Sequence, residues 1–80
     1  MAKIIQVDGS EKELDQVDLR SLQAAVGGYI EEVSIPGSSK VMIVNEEGRL
    51  KHLPLNPAAS ATAMQLIVGD AVICKRSELK

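Results

Sequence analysis

The sequence predicts an α+β domain: a small, mostly antiparallel sheet of about five or six strands with two short helices, in the order β(β)αβββαβ. Three features predict it. The run Lys40-Val41-Met42-Ile43-Val44 is apolar at four consecutive positions, the mark of a strand covered on both faces and therefore central in a sheet. Leu19, Leu22 and Val26 fall at i, i+3 and i+7, one apolar stripe along a helix. Clusters of Gly, Pro, Asn, Asp and Ser punctuate the rest as turns.

Lys3-Ile4-Ile5-Gln6-Val7 has the aliphatic, β-branched composition of a short strand. Asp8-Gly9 is a turn pair, because Gly tolerates positive φ and Asp can bond its neighbouring backbone. A polar return over residues 11–14 would complete a hairpin. The first helix begins at Asp15 or Asp18, either of which can cap it by accepting a backbone N–H. Arg20, Gln23 and Ala24 take its wetter side, and Gly27-Gly28 supplies the left-handed residue that ends it.

Residues 29–35 form the next strand, closed by Pro36-Gly37-Ser38-Ser39. After the central run comes Asn45-Glu46-Glu47-Gly48, with Asn first and Gly last as a type I turn prefers. Residues 49–53 are expected to return as a strand, making a second hairpin. Pro54-Leu55-Asn56-Pro57 stops it. Asn56 is a natural N-cap, with Pro57 at the first helical position, where a missing N–H costs nothing. The alanine-rich residues 58–66 give a short second helix. Residues 67–74 give a last strand with a bulge or bend at Gly69-Asp70.

A chain of 80 residues makes one domain, 1–80, with residues 76–80 a polar tail. At this size folding buries only about 60–65% of the unfolded surface. The core must be aliphatic, since Tyr29 is the only aromatic residue. Cys74 is the only cysteine, which rules out an intrachain disulfide and a multi-cysteine zinc site. Neither the charged start of the chain nor any apolar run fits a signal peptide or a membrane span of ~20 residues. A cytoplasmic setting is the expectation. The net charge is −2 with an isoelectric point near 5.3, and the basic residues are scattered. That balance, without aromatic stacking platforms, weighs against nucleic acid as partner.

Few residues offer chemistry. Cys74 would need an adjacent base, and nothing places His52, the only histidine, beside it. No His/Cys cluster or calcium-loop spacing marks a metal site, and no cofactor is implied. Gly27-Gly28 follows a helix, whereas a phosphate loop precedes one. The carboxylates are more numerous. By the period-2 rule Tyr29, Glu31, Val33 and Ile35 share one face of their strand, which sets Glu31 among apolar neighbours near the sheet's end. Glu31 is therefore either an edge-exposed carboxylate or a ligand-binding or acid/base group. Glu46 sits in a turn.

Several segments together resemble a known family. Leu22-Gln23 with Val26-Gly27-Gly28-Tyr29-Ile30-Glu31, then Asn45-Glu46-Glu47-Gly48, Leu53-Pro54 with Asn56, and Ile67-Val68-Gly69-Asp70 are similar to an uncharacterised family of short proteins from bacteria and tailed phages. The resemblance spans about residues 19 to 75 and departs in the N-terminal hairpin and after Pro57. It implies a small accessory protein, phage-borne or carried on mobile DNA, with no transferable activity. If the family has a binding site, the matching positions are Tyr29, Glu31, Asn45, Glu46 and Asn56. Each also has a structural explanation, as turn residue, helix cap or large core side chain.

Three functions are therefore compared. The first is a non-enzymatic binding or interaction protein, such as a counter-defence factor, working as a homodimer or with an unknown partner. It rests on the lack of a catalytic set and on aliphatic strands that two short helices would not cover. The second is a nucleotide- or anion-binding domain using Asn45, Asn56, Glu31 and Tyr29. The third is an enzyme with a carboxylate acid/base, Glu31 or Glu46.

Overall fold

In a computed structural model, which describes residues 2–79, the two aliphatic runs become neighbouring inner strands. The elements are β1 (Ala2–Ile5), β2 (Glu11–Leu14), α1 (Leu19–Val26), β3 (Ile30–Ser34), β4 (Lys40–Asn45), α2 (Pro57–Ala63) and β5 (Ala71–Lys75), followed by a 3₁₀ turn at Arg76–Glu78. The strands form one sheet in the order β2-β1-β5-β4-β3, and every neighbouring pair is antiparallel. The last strand in sequence lies in the middle of the sheet. It joins the β1–β2 hairpin to the β3–β4 hairpin.

The alternation along β4 assigns one helix to each face. Val41 and Ile43 pack with Val72 and Cys74 against Leu22 and Val26 of α1. Met42 and Val44 pack with Ile5 and Ala71 against Ala59 and Ala63 of α2, and against Ile67. Both inner strands are therefore covered by this one chain, so their burial gives no reason for a second copy. Among the described residues no helix is long and apolar enough to cross a membrane.

The capping devices follow the sequence. Asp18, not Asp15, caps α1, its carboxylate accepting the Ser21 N–H at 2.8 Å. Gly27, at φ 81°, closes it with an N–H to the Gln23 carbonyl. Asn56 caps α2, which ends early at Met64 in the left-handed conformation. In the β1–β2 turn the Ser10 hydroxyl and backbone N–H hold the Asp8 carboxyl below its ordinary range.

Three expectations are corrected. Residues 49–53 form no strand but a rolling series of turns, with Lys51 N–H on Glu47 O at 2.9 Å and Leu53 N–H on Gly48 O at 3.0 Å. The reason is topological: β4 already has β3 and β5 on its two sides, so no edge is open to a further strand. Tyr29 precedes β3 and is 66% exposed, so it is not a core side chain. Leu19 heads the apolar stripe of α1 but is exposed, leaving Leu22 and Val26 to carry the packing. Past β5 the polar tail makes a 3₁₀ turn, where Glu78 accepts the Lys75 N–H at 2.8 Å and Leu79 packs on the α1 side. Met1 and Lys80, the ends of the expected 1–80 domain, lie outside the described residues.

Candidate functional site

Two buried asparagines hold the loops at one end of the sheet. The Asn45 amide donates to the Val26 carbonyl at 3.0 Å, tying the end of α1 to the end of β4. Its side-chain oxygen accepts the Glu47 N–H at 2.8 Å and starts the turn series over residues 46–52. Gly28 leaves little room here, since a Cβ would lie 3.0 Å from Asn45 Nδ2 and 3.2 Å from Lys51 Nζ and one of them would have to give slightly. The Val-Gly-Gly and Asn-Glu-Glu-Gly segments therefore form one packing unit.

The second unit joins Leu53-Pro54 with Asn56 to Ile67-Val68-Gly69-Asp70. Asn56 Nδ2 donates to Ile5 O and to Gly69 O, each at 2.9 Å, while Oδ1 accepts the Ala59 N–H at 3.1 Å. Around it Gly69 N–H meets Pro54 O at 2.7 Å, Asn56 N–H meets Ile67 O at 2.9 Å, and Leu55 bridges Val68. Asp70 accepts the Val7 N–H at 3.0 Å. Gly69, at φ 77°, faces Leu53 so closely that a Cβ would stand 2.8 Å from its Cδ1. The expected interruption of the last strand is thus a bend clamped by Asn56.

Between these units lies a cleft of about 360 Å³. Val44, Asn45, Gly48 and Ile67 are its buried walls. Glu31 and Val33 enter from the edge strand β3, and Glu46, Arg49 and Leu50 from the turns. Gln65, Leu66 and Val68 close the side beyond α2. Glu31 lies opposite Val44 in register, and the Glu46 N–H bonds Tyr29 O at 2.9 Å, so both carboxylates are held at the same end of the β3–β4 hairpin. Leu50 and Leu66 stand at its rim, 79% and 57% exposed.

The structure thus brings together three of the five expected site residues, Glu31, Asn45 and Glu46. Tyr29 lines a separate hollow with Gln23, Glu47 and Lys51. Asn56 is 0% exposed and its amide is fully occupied by the backbone, so it caps α2 and faces no ligand. Arg49, Leu50, Gln65 and Leu66 were not picked out by sequence reasoning. Leu50 fell within the strand expected over residues 49–53, and Leu66 at the end of the helix expected over residues 58–66.

The arrangement can do little covalent chemistry. His52 is exposed in a left-handed turn and does not line the cleft. Cys74 is buried on the α1 side, where desolvation, with Glu78 and Glu32 nearby, pushes its thiol above its ordinary value. Among the described residues no group of three or more His, Cys, Asp or Glu could hold a metal. What the cleft offers is a largely polar surface over a few aliphatic walls, with two carboxylates and one guanidinium on its margin.

These features define a class: a small α+β domain whose five-stranded antiparallel sheet carries one helix on each face, with a shallow cleft at the loop end. Within that class the family profile of DUF3846, a domain of unknown function, matches residues 2–79. The chain belongs to that family. Comparison with curated proteins and with solved structures gave no significant match.

Proposed function

We propose that the chain is a small non-enzymatic binding domain that takes a protein partner through the cleft beside β3. One observation carries this reading: Leu50 and Leu66, 79% and 57% exposed, flank a cleft whose deeper walls include Val44 and Ile67. Large aliphatic side chains left in water at the rim of a depression are the surface a partner covers. Glu31, Glu46 and Arg49 on the same margin would set its orientation by charge. A second copy of this chain is one candidate partner. The setting we propose is that of a cytoplasmic accessory or counter-defence factor carried by a bacterium, phage or mobile element. The Val-Gly-Gly-Tyr-Ile-Glu and Ile-Val-Gly-Asp segments support it by resemblance.

The small-ligand alternative draws on cleft size, since about 360 Å³ falls in the range of small-molecule pockets. Two carboxylates facing one guanidinium weigh against a nucleotide or other anion there. Asn45, its side chain already bonded on both sides, adds little.

The test compares wild type with a Leu50→Ser/Leu66→Ser double variant, both shown folded by circular dichroism. Each serves as bait in host lysate, with light scattering to read self-association. The reading requires a partner, or a dimer, that wild type forms and the variant loses. Equal retention by both defeats it. A melting-temperature rise with a small molecule, and no protein partner, transfers the cleft to the alternative.

A further inference from the structure

We infer that the open end of the α2-side sheet face is a second docking surface, shaped for an acidic, aliphatic polypeptide segment. It lies at the start of β4, whereas the cleft lies at its end. Register places the residues. Lys3, Ile73, Met42 and Val33 face one another across β1, β5, β4 and β3 in one row on the α2 side. In the next row Lys75 of β5 stands directly opposite Lys40 of β4. α2 and Ile67 pack over the other end of this face, and Ile73 and Ile35 are left only partly buried, with Val33 at the border shared with the cleft. The result is an aliphatic strip framed by exposed lysines.

Opposed like charges destabilise an antiparallel pair. Lysines often guard sheet edges, but β4 and β5 are inner strands, so edge protection does not account for these two. Within the chain, Glu78 acts on Lys75 through space without forming an ion pair with it. Glu11 takes Lys3 at 3.6 Å, and Glu13 stands opposite Lys3. Glu32 takes Arg76 at 2.8 Å, and the Glu78 carboxylate bonds the Lys75 backbone N–H. Among the described residues neither Lys40 nor Lys75 makes an ion pair within 4.0 Å. In a chain of net charge −2 this is positive charge held in no ion pair beside apolar surface, offset at Lys75 only by the Coulombic pull of Glu78.

Carboxylates placed over Lys40 and Lys75, with aliphatic side chains on Ile73 and Ile35 between, complement both properties. Nucleic acid fits less well: Tyr29, the only aromatic, stands before the far end of β3, so this strip has no stacking platform. A membrane fits less well too, because the strip's apolar side chains are half-sunk in the sheet and cannot reach into lipid.

The probe is a short labelled peptide alternating Glu with Val, titrated by fluorescence anisotropy at low and high salt. Lys40→Gln/Lys75→Gln should weaken binding about tenfold or more, the loss of two charge-assisted contacts. Its melting temperature should hold or rise, since the like-charge pair is gone. Lys12→Gln/Lys51→Gln removes the same charge elsewhere and should bind like wild type. Leu50→Ser/Leu66→Ser should also bind like wild type, which separates this surface from the cleft. The inference falls if the peptide does not bind at about 1 mM. It also falls if both lysine pairs matter equally, or if single-stranded DNA or anionic vesicles bind more tightly than the peptide.

Discussion

Asn45 and Asn56 look alike in the sequence, each at the edge of a turn, yet they do different amounts of structural work. Asn56 is sealed from water and joins three separate pieces of backbone: the end of β1, the bend at Gly69 and the first turn of α2. Asn45 makes two bonds, one to the end of α1 and one within its own turn, and it borders the cleft. The residues that look most like a binding signature are therefore occupied by the fold. The groups free to meet a partner are their less distinctive neighbours.

The comparison is broken most directly by Asn56→Ala. It leaves two carbonyls and one N–H buried without a partner, at about 1 kcal/mol or more each. The expected loss is about 3 kcal/mol by urea denaturation, a large share of the stability of so small a domain. Asn45→Ala should lose about 2 kcal/mol, because two groups lose their partner and water can reach that end. If the two variants lose the same stability, the distinction between the asparagines fails.

Their glycines sharpen it. Gly69→Ala adds positive-φ strain and a contact at 2.8 Å to Leu53, an expected cost of about 1–2 kcal/mol. Gly28→Ala meets Asn45 Nδ2 at 3.0 Å and the mobile end of Lys51, and should cost about 1 kcal/mol or less. Cys74 reports on the α1 side alone. Burial favours its neutral thiol in the folded chain, so stability is level below the thiol's ordinary value and falls as pH rises past it, above about pH 9. Denaturation at rising pH should show that fall in wild type and not in Cys74→Ala. Smallest of all in stability is Leu50→Ser, expected within about 0.5 kcal/mol of wild type while partner binding is lost.

How far the sequence could be read follows the same division. Strands β4 and β5, both helix caps, and the polar return of the first hairpin were legible, because each rests on local pattern or on a side chain that bonds a near neighbour. Residues 49–53 were not. Their alternation suits a strand, and only the occupied flanks of β4 forbid one, a fact about the whole sheet. Tyr29 misled for a related reason: size suggested burial, but β3 begins one residue later, at the sheet's edge. For the site, Glu31 and Glu46 were within reach of face parity and turn chemistry. Leu50 and Leu66 were not, since an exposed leucine has the same letter as a buried one.

The placement of β5 has a consequence for how the molecule is made. Both hairpins can form early, but they share no sheet until residues 71–75 have left the ribosome and slotted between β1 and β4. Until then the Val41–Val44 run has one flank bare, inviting β-pairing with other nascent chains. Synthesis that halts before Ala71 would thus yield a sticky fragment fit for degradation, while a chain reaching Lys75 gains its seal in a single step.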